Sequence, residues 1–351
     1  MNVVDEALSV LADTGPEYDV FGGRVSFANH GPMVIDALVA MGRGDAVPSW
    51  LERYRPRLAT RSEPCKRIDP LDWRTALGDM GRVRDWADFF ADELADARWM
   101  VVVDRWLPRL APGMIGGVHG AIRTAHAVRS IGRMETPERV HELAEALGYW
   151  AAQYEELPRD ESAPQKLRPS EAIAVLEQLD VSERTGWTRF TEPIGKLVDL
   201  PSFAAAADLI DTTDPGAAIA DLTLTFSRLL ISNVATVSPR ALCHGLTGGV
   251  VADMMLPYLS DESIEASLRY GWQTAAAFYC ALILHPPSEN VAAPSESVNE
   301  IIDEALACPD EHGIKVTELC VRAYERDPNP VYLAAAIDNT RRLNEVGLNL
   351  Y

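Results

Sequence analysis

The chain has very few lysines and no excess of positive charge. Of its 351 residues, 52 are acidic and 32 are basic, which gives a net charge of −20 at pH 7. A chain this acidic is not expected to follow the phosphate backbone of a nucleic acid or to bind an anionic membrane surface. Arginine supplies 28 of the basic side chains, and only four are lysines, namely Lys66, Lys166, Lys196 and Lys315.

Long apolar runs and paired cysteines are also missing. The longest uncharged apolar stretch, 274–284, has about half the length needed to cross a bilayer. The N-terminus is acidic and has no basic region of the kind that opens a secretory signal. The cysteines form no CxxC pair, which argues against a disulfide framework and a zinc-thiolate site. We therefore expect a cytoplasmic protein with free thiols at Cys65, Cys243, Cys280, Cys308 and Cys320.

Most long segments of the sequence repeat their apolar residues with helical spacing. Val83, Trp86, Phe90 and Leu94 recur at steps of three and four residues, which is typical of an amphipathic helix. Alternating strand patterns and a glycine-rich phosphate loop are absent from the sequence. The sequence therefore predicts an all-α protein, with further helices at 99–110, 114–131, 136–157, 218–237 and 263–284.

Two polar, proline-rich stretches, 157–170 and 285–297, interrupt the helical pattern. Candidate site residues lie on both sides of the first stretch, so we interpret it as an exposed loop and not as a domain boundary. The prediction is a single large multi-helix domain over 1–351 with a buried site between helices. The glycine pairs 116–117 and 248–249 lie within helical patterns, where they favour close helix packing.

One helical stripe carries three polar side chains among small apolar residues. His119, Arg123 and His126 are spaced by four and three residues and share one side of a helix. A solvated face of so acidic a protein should also carry acidic residues or lysine. None accompanies these three side chains. The stripe is therefore predicted to face an internal cavity.

Three further histidines occur in contexts suited to burial. His30 precedes a helix that has Pro32 in its first turn, and a capping role is the simplest interpretation. His244 opens a small apolar segment, and His312 lies three residues before Lys315 on a helix, where a surface lysine is the alternative. Four histidines, including His119, suit a first-row metal site, although no HExxH or Glu-x-x-His motif is present.

A thiol nucleophile at Cys243 beside His244 is a competing interpretation. Neighbouring residues on a helix point about 100° apart, so adjacency in sequence does not create a catalytic dyad. We therefore do not favour it.

Several short motifs, in this order along the chain, resemble the questin oxidase-like family in its bacterial branch. The similarity extends from about residue 15 to residue 325, and the combination of motifs carries it more than any single one. The motifs are Phe21-Gly22-Gly23, Asn29-His30-Gly31-Pro32-Met33, His119-Gly120-Ala121-Ile122-Arg123-Thr124-Ala125-His126, Ala146-Leu147-Gly148-Tyr149-Trp150 and Glu311-His312-Gly313-Ile314-Lys315.

The resemblance implies a helical oxygenase. Fungal members act on anthraquinones and related polyketides, cleaving a ring carbon–carbon bond in Baeyer–Villiger-like or dioxygenase fashion with O2. Some members hold a mononuclear non-haem iron through four histidines and a carboxylated lysine. Carried over by motif, these ligands are His30, His119, His244, His312 and Lys315, with His244 in the loosest motif.

The sequence departs from the fungal pattern at Arg123, where fungal relatives tend to have a second histidine. His126 is then the candidate base or alternative metal ligand. Arg123 is the candidate group for stabilising negative charge that develops on the substrate. A lysine ammonium cannot bind a metal, but a neutral amine can add CO2 and become an anionic carbamate. Burial favours that neutral amine.

Two other functions are compatible with the same residues. One is a monooxygenase of the same family that uses NAD(P)H or flavin, although no dinucleotide-binding fingerprint is present. The other is a non-catalytic helical protein that binds a hydrophobic metabolite through its histidines.

Overall fold

The computed structural model describes residues 2–18, 25–116, 118–160, 165–187 and 189–347. Phe21, Gly22 and Gly23 of the first family motif, and Gly117 of the first glycine pair, lie outside them. Within these residues the structure confirms the all-α prediction. The helices are α1 Val3–Leu11, α2 Gly31–Ala40, α3 Val47–Tyr54, α4 Val83–Asp96, α5 Trp99–Leu110, α6 Val118–Arg133, α7 Pro137–Ala152, α8 Pro169–Val175, α9 Thr191–Gly195, α10 Pro215–Asn233, α11 Pro239–Gly249, α12 Ala252–Met255, α13 Asp261–Leu282, α14 Val298–Ala307, α15 Glu311–Arg326 and α16 Pro330–Val346.

A small antiparallel sheet accompanies the helices, so the prediction that strands are absent was wrong near the N-terminus. Its strands are β1 Thr14–Tyr18, β2 Val25–Phe27 and β3 Leu58–Thr60, in the order β2-β1-β3. Strands of three to five residues are too short to display an alternating pattern. β1 also contains Gly15 and Pro16, residues that usually weaken a strand.

Helix boundaries follow the predicted signals closely where a cap is present. The Thr136 hydroxyl accepts a hydrogen bond from the Arg139 amide at 3.4 Å and caps α7 as predicted, but the helix ends at Ala152, five residues before the predicted end at 157. α6 begins four residues later than predicted, because Ala111–Gly113 forms a 3₁₀ turn and Met114 forms an isolated bridge with Glu155. Gly116 consequently lies in the turn before α6 and not inside the helix.

The chain divides into two compact units. The first contains residues 1–156 and 254–266, and the second contains 157–253 and 267–351. The first crossing coincides with the start of the predicted loop 157–170, of which 161–164 lie outside the described residues. The single multi-helix domain over 1–351 that the sequence indicates therefore stays a prediction.

The first unit is built around α4, α6 and α7, and two glycines set the spacing of these helices. A Cβ atom added to Gly120 on α6 would lie 2.4 Å from the Cα of Trp150 on α7. One added to Gly148 on α7 would lie 2.6 Å from the backbone nitrogen of Ala87 on α4. Only glycine allows these backbones to approach so closely.

The segment 254–266 returns to the first unit and is fixed there by α5. The ring of Tyr258 contacts that of Trp99 edge-on, with their centroids 6.1 Å apart. Asp104 accepts hydrogen bonds from the backbone nitrogen of Ser260 at 2.9 Å and from its hydroxyl at 2.8 Å. A sequence-distant segment thus completes this unit.

In the second unit, the predicted close approach at the second glycine pair is confirmed. A Cβ on Gly249 of α11 would lie 3.0 Å from the Cβ of Ala275 on α13. One on Gly271 of α13 would lie 2.7 Å from the Gly249 carbonyl oxygen.

All five cysteines are free thiols. No helix in the described part of the chain has the length and apolar character needed to span a membrane.

Replacing Gly120 with alanine should destabilise the first unit. The new methyl group would overlap the α7 backbone at Trp150, which cannot move independently of its helix. We expect the free energy of unfolding to fall by about 1–3 kcal/mol, measured by urea denaturation. Gly44→Ala is the matched control, because a Cβ there meets only Val39 and Val3 at 3.5 and 3.6 Å. Equal effects of the two substitutions would contradict the close packing of α6 on α7.

Candidate metal centre

His30 lies immediately before α2, but its side chain does not cap that helix. It makes no capping hydrogen bond, so the capping interpretation was wrong. The ring Nδ1 instead lies 2.6 Å from the Glu17 carboxylate on β1. The backbone nitrogen of His30 donates to the Tyr54 hydroxyl at 2.6 Å. The histidine is therefore fixed by contacts from outside its own helix.

Glu17 is held by two further groups. Arg57 donates to its second carboxylate oxygen at 2.7 Å, and the Tyr54 hydroxyl donates to the first. Strand pairing is irregular here, with a register shift between Glu17 and Tyr18 on one side of β1 and between Thr14 and Glu17 on the other. Such irregularities redirect side chains. The sheet therefore serves to present Glu17 to His30.

His119 lies in the first turn of α6 and approaches His30. The two ring centroids are 5.1 Å apart, with the rings nearly perpendicular. Next to His30, a Cβ on Gly31 would lie 2.7 Å from the Leu11 side chain, so α2 begins in a tightly packed position. The first unit thus supplies one close pair of histidines.

The predicted stripe on α6 is buried at Arg123 and His126 and half-buried at His119. Its members are engaged by different helices. The Arg123 Nε and Nη2 atoms donate to the two carboxylate oxygens of Glu142 on α7, at 2.6 and 2.7 Å. The Nδ1 atom of His126 lies 2.8 Å from Asp36 on α2. The stripe therefore joins α6 to both neighbours through buried polar contacts.

Asp36 is the centre of a buried charge cluster. Arg129 donates to it at 2.8 and 2.5 Å, and Arg133 at 3.2 Å. Burial alone would raise its pKa, but Arg129 and His126 outweigh that cost and hold the pKa far below its usual range. His126 is thus fixed by a carboxylate that is ionised at neutral pH.

In the second unit, His244 lies within α11 and is fully enclosed. Its Nδ1 atom is 2.5 Å from the backbone carbonyl oxygen of Arg240, one turn earlier. A carbonyl oxygen can only accept, so Nδ1 must carry the hydrogen and the neutral ring has its lone pair on Nε2. The rings of Phe190 and Phe278 contact the imidazole with nearly parallel planes, at centroid distances of 5.8 and 6.3 Å, and lie 5.7 Å from each other.

His312 is oriented in the same way by a carboxylate. Asp310, the N-cap of α15, lies 2.7 Å from the His312 Nδ1 atom and accepts from the Nε of Arg240 at 2.5 Å. Burial opposes its ionisation, but His312 and Arg240 together bring the pKa of Asp310 well below its ordinary value. The ionised carboxylate accepts the Nδ1 hydrogen of His312.

Lys315 follows His312 by one turn of α15 and is buried, with 2% of its surface exposed. The alternative of a surface lysine is therefore wrong. The rings of His244 and His312 are 5.2 Å apart, so the second unit also supplies a close histidine pair.

Cys243 is not an activated nucleophile. Burial raises the pKa of its thiol to about 12. The Nδ1 of His244 is 3.7 Å from the sulfur but is already engaged by the Arg240 carbonyl at 2.5 Å. A thiolate at neutral pH is therefore disfavoured.

The sequence analysis did not identify the carboxylates that hold the histidine rings in place. Glu17, Asp36 and Asp310 lie 13, 90 and 2 residues from their histidines. Only Asp310 had a local signal, since an aspartate just before a helix is a typical N-cap.

A helical protein in which buried histidines are held at Nδ1 by fixed acceptors is a candidate metalloprotein. The model of the questin oxidase-like family matches residues 27–320, and the chain belongs to this family. The family name indicates an oxidase. Assignment to the bacterial branch stays a prediction. A search of curated proteins found no match.

Replacing Asp36 with asparagine should destabilise the protein, because the buried Arg129 would lose the charged carboxylate to which it donates. We expect a loss of about 3–5 kcal/mol at pH 7 in urea unfolding. The lowered pKa of Asp36 stabilises the fold above about pH 4, and this contribution is lost as the pH falls further. The variant should therefore lose less stability than the wild type between pH 5 and pH 3.

Asp92→Asn is the control for this prediction. Asp92 also pairs with an arginine, Arg67 at 2.8 Å, but both side chains are exposed. Its effect should stay below about 1 kcal/mol. A similar loss in both variants would show that the buried cluster has no special role.

Proposed function

We propose that the protein is a non-haem iron-dependent oxygenase that acts with O2 on an aromatic polyketide or quinone-type molecule. In this proposal His30, His119, His244, His312 and a carboxylated Lys315 together hold one mononuclear iron. Cleavage of a carbon–carbon bond, in Baeyer–Villiger-like or dioxygenase fashion, is the reaction that the family resemblance implies.

The orientation of the histidine rings is the main support. His30, His244 and His312 each have Nδ1 against a carboxylate or carbonyl oxygen, at 2.6, 2.5 and 2.7 Å. This contact selects the tautomer with its lone pair on Nε2, the nitrogen through which a histidine held in this way would bind a metal. Protein groups that hold the second nitrogen of a metal-binding histidine typically fix its orientation in this way.

The chemistry of the donor set also fits iron. Imidazole nitrogens suit first-row metals, and a carbamate on Lys315 would add an anionic oxygen. Each histidine pair has ring centroids about 5 Å apart, at 5.1 Å for His30 with His119 and 5.2 Å for His244 with His312. Rings at this spacing can direct nitrogens to a shared ion.

When bound, the iron would supply the redox chemistry with O2. Arg123 keeps N–H donors beyond the two that bind Glu142, and these would stabilise negative charge that develops on the substrate. His126, held at Nδ1 by Asp36, would receive a substrate proton at Nε2. Burial beside the apolar rings of Phe190 and Phe278 would limit the access of water to His244.

The protein should contain about one iron per chain, measured by elemental analysis. His119→Ala and Lys315→Met should lower the iron content at least tenfold and abolish substrate-dependent O2 uptake, because each removes a proposed ligand. His141→Ala is the control, since this half-exposed histidine of α7 lies 4.0 Å from Glu145 and has no proposed ligand role. Full O2 uptake by metal-free protein would refute the proposal, and two irons per chain would refute a shared ion.

Carboxylation of Lys315 predicts that an exogenous acid can replace it. Lys315→Ala should load iron poorly and regain part of its iron content in millimolar acetate, whose carboxylate resembles the carbamate. His119→Ala should show no such recovery, because acetate does not restore an imidazole. Normal iron loading of Lys315→Ala without acetate would exclude the lysine as a ligand.

A further inference from the structure

A small cavity of about 30 Å³ lies within the first unit. Its lining contains no histidine, although the lining residue Asn29 directly precedes His30. Residues of β1, α4, α6 and α7 and the segment after β3 line it. It has room for roughly one or two water molecules or for one small polar group. A fused aromatic ring system would not fit inside.

The lining of this cavity is rich in arginine. Arg61, Arg84 and Arg123 contribute three guanidinium groups, and Glu145 contributes the one carboxylate. The side chains of Arg61 and Arg84 are 18% and 24% exposed, so a ligand can reach them from solvent. Each of the three is paired with a carboxylate, Arg61 with Glu145, Arg84 with Asp88 and Arg123 with Glu142, so the cavity offers directed N–H donors and no net positive charge.

The carboxylates that pair with Arg61 and Arg123 do not engage all of the N–H donors of these two arginines. Arg123 uses Nε and Nη2 for Glu142, which leaves its Nη1 donors for another acceptor. The Nη2 of Arg61 binds Glu145, but its Nε is buried and has no hydrogen-bond partner among the described residues. Buried polar groups in native proteins almost always have a hydrogen-bond partner, so this Nε is a candidate donor to a bound group.

The other polar groups are suited to receiving an anion. Burial raises the pKa of Tyr149, so its hydroxyl stays neutral at physiological pH. Burial also raises the pKa of Glu145, although Arg123, His141 and Arg84 oppose this shift. Glu145 is therefore an internal carboxylate that competes for Arg61 and is costly to keep ionised. An incoming carboxylate would make the same type of contact.

We propose that this cavity binds the carboxylate of an organic acid, with Arg61 and Arg123 as its principal donors. The inference rests on the proposed function in two respects. It narrows the aromatic substrate to one that carries an acidic group, and it makes that group the partner of Arg123 in place of a charge that develops during the reaction. The ring system would remain outside the cavity while its carboxylate enters.

Benzoate is the probe, and benzamide is its neutral counterpart of almost equal shape. We expect benzoate to bind with a millimolar dissociation constant in a ligand-observed NMR titration, and benzamide at least tenfold more weakly. Arg61→Met should weaken benzoate binding about tenfold, because it removes the paired guanidinium and the buried Nε donor. Arg67→Met, at an arginine that is 85% exposed, is the matched control and should not change it.

The substitution Glu145→Gln should change benzoate affinity in the opposite direction. This test does not require an arginine variant to fold. It removes the competing carboxylate, so benzoate affinity should rise severalfold while benzamide affinity stays constant. A purely structural role of the cluster would not produce opposite effects of the two substitutions. Equal binding of benzoate and benzamide, or benzoate affinity unchanged in both variants, would overturn the proposal.

The same titration on protein treated with a chelator separates this inference from the iron proposal. Benzoate affinity should be unchanged after metal removal, because the arginines hold the carboxylate. Loss of binding with the metal would assign benzoate to the metal and refute the cavity as its site. Absence of iron with intact benzoate binding would refute only the proposed oxygenase.

Discussion

The structure depends on buried carboxylates that each join a histidine to an arginine. Glu17 lies between His30 and Arg57, Asp36 between His126 and Arg129, and Asp310 between His312 and Arg240. The arginine offsets the cost of burying the negative charge, and the ionised acid then fixes the imidazole. The preference for arginine over lysine has a physical reason here, because a guanidinium offers several directed donors to one carboxylate.

Long helices were predictable from this sequence because their apolar spacing is set locally. Trp99–Leu110 matches its predicted range, and Thr136 caps α7 as expected. The three-stranded sheet was not predictable, since its strands are short and pair Thr14 with Thr60 across the chain. The same sheet places Glu17, so the partner of His30 could not be inferred from nearby residues.

Residue identity alone indicated which histidines suited burial, but not how they were oriented. The spacing of His119, Arg123 and His126 correctly predicted a stripe directed inward, whereas the structure showed that α7 holds Arg123 and α2 holds His126. The scarcity of lysine drew attention to Lys315, and its burial agrees with that emphasis. The five proposed ligands came from family resemblance, because spacing cannot reveal which distant residues share an ion.

The return of residues 254–266 to the first unit has a consequence for synthesis on the ribosome. Trp99 and Asp104 are made early, but their partners Tyr258 and Ser260 emerge only after about a hundred residues of the second unit. The N-terminal unit therefore cannot finish folding when its first 156 residues have left the exit tunnel. Its exposed apolar surface would persist during that interval, which is when chaperones typically protect a nascent chain.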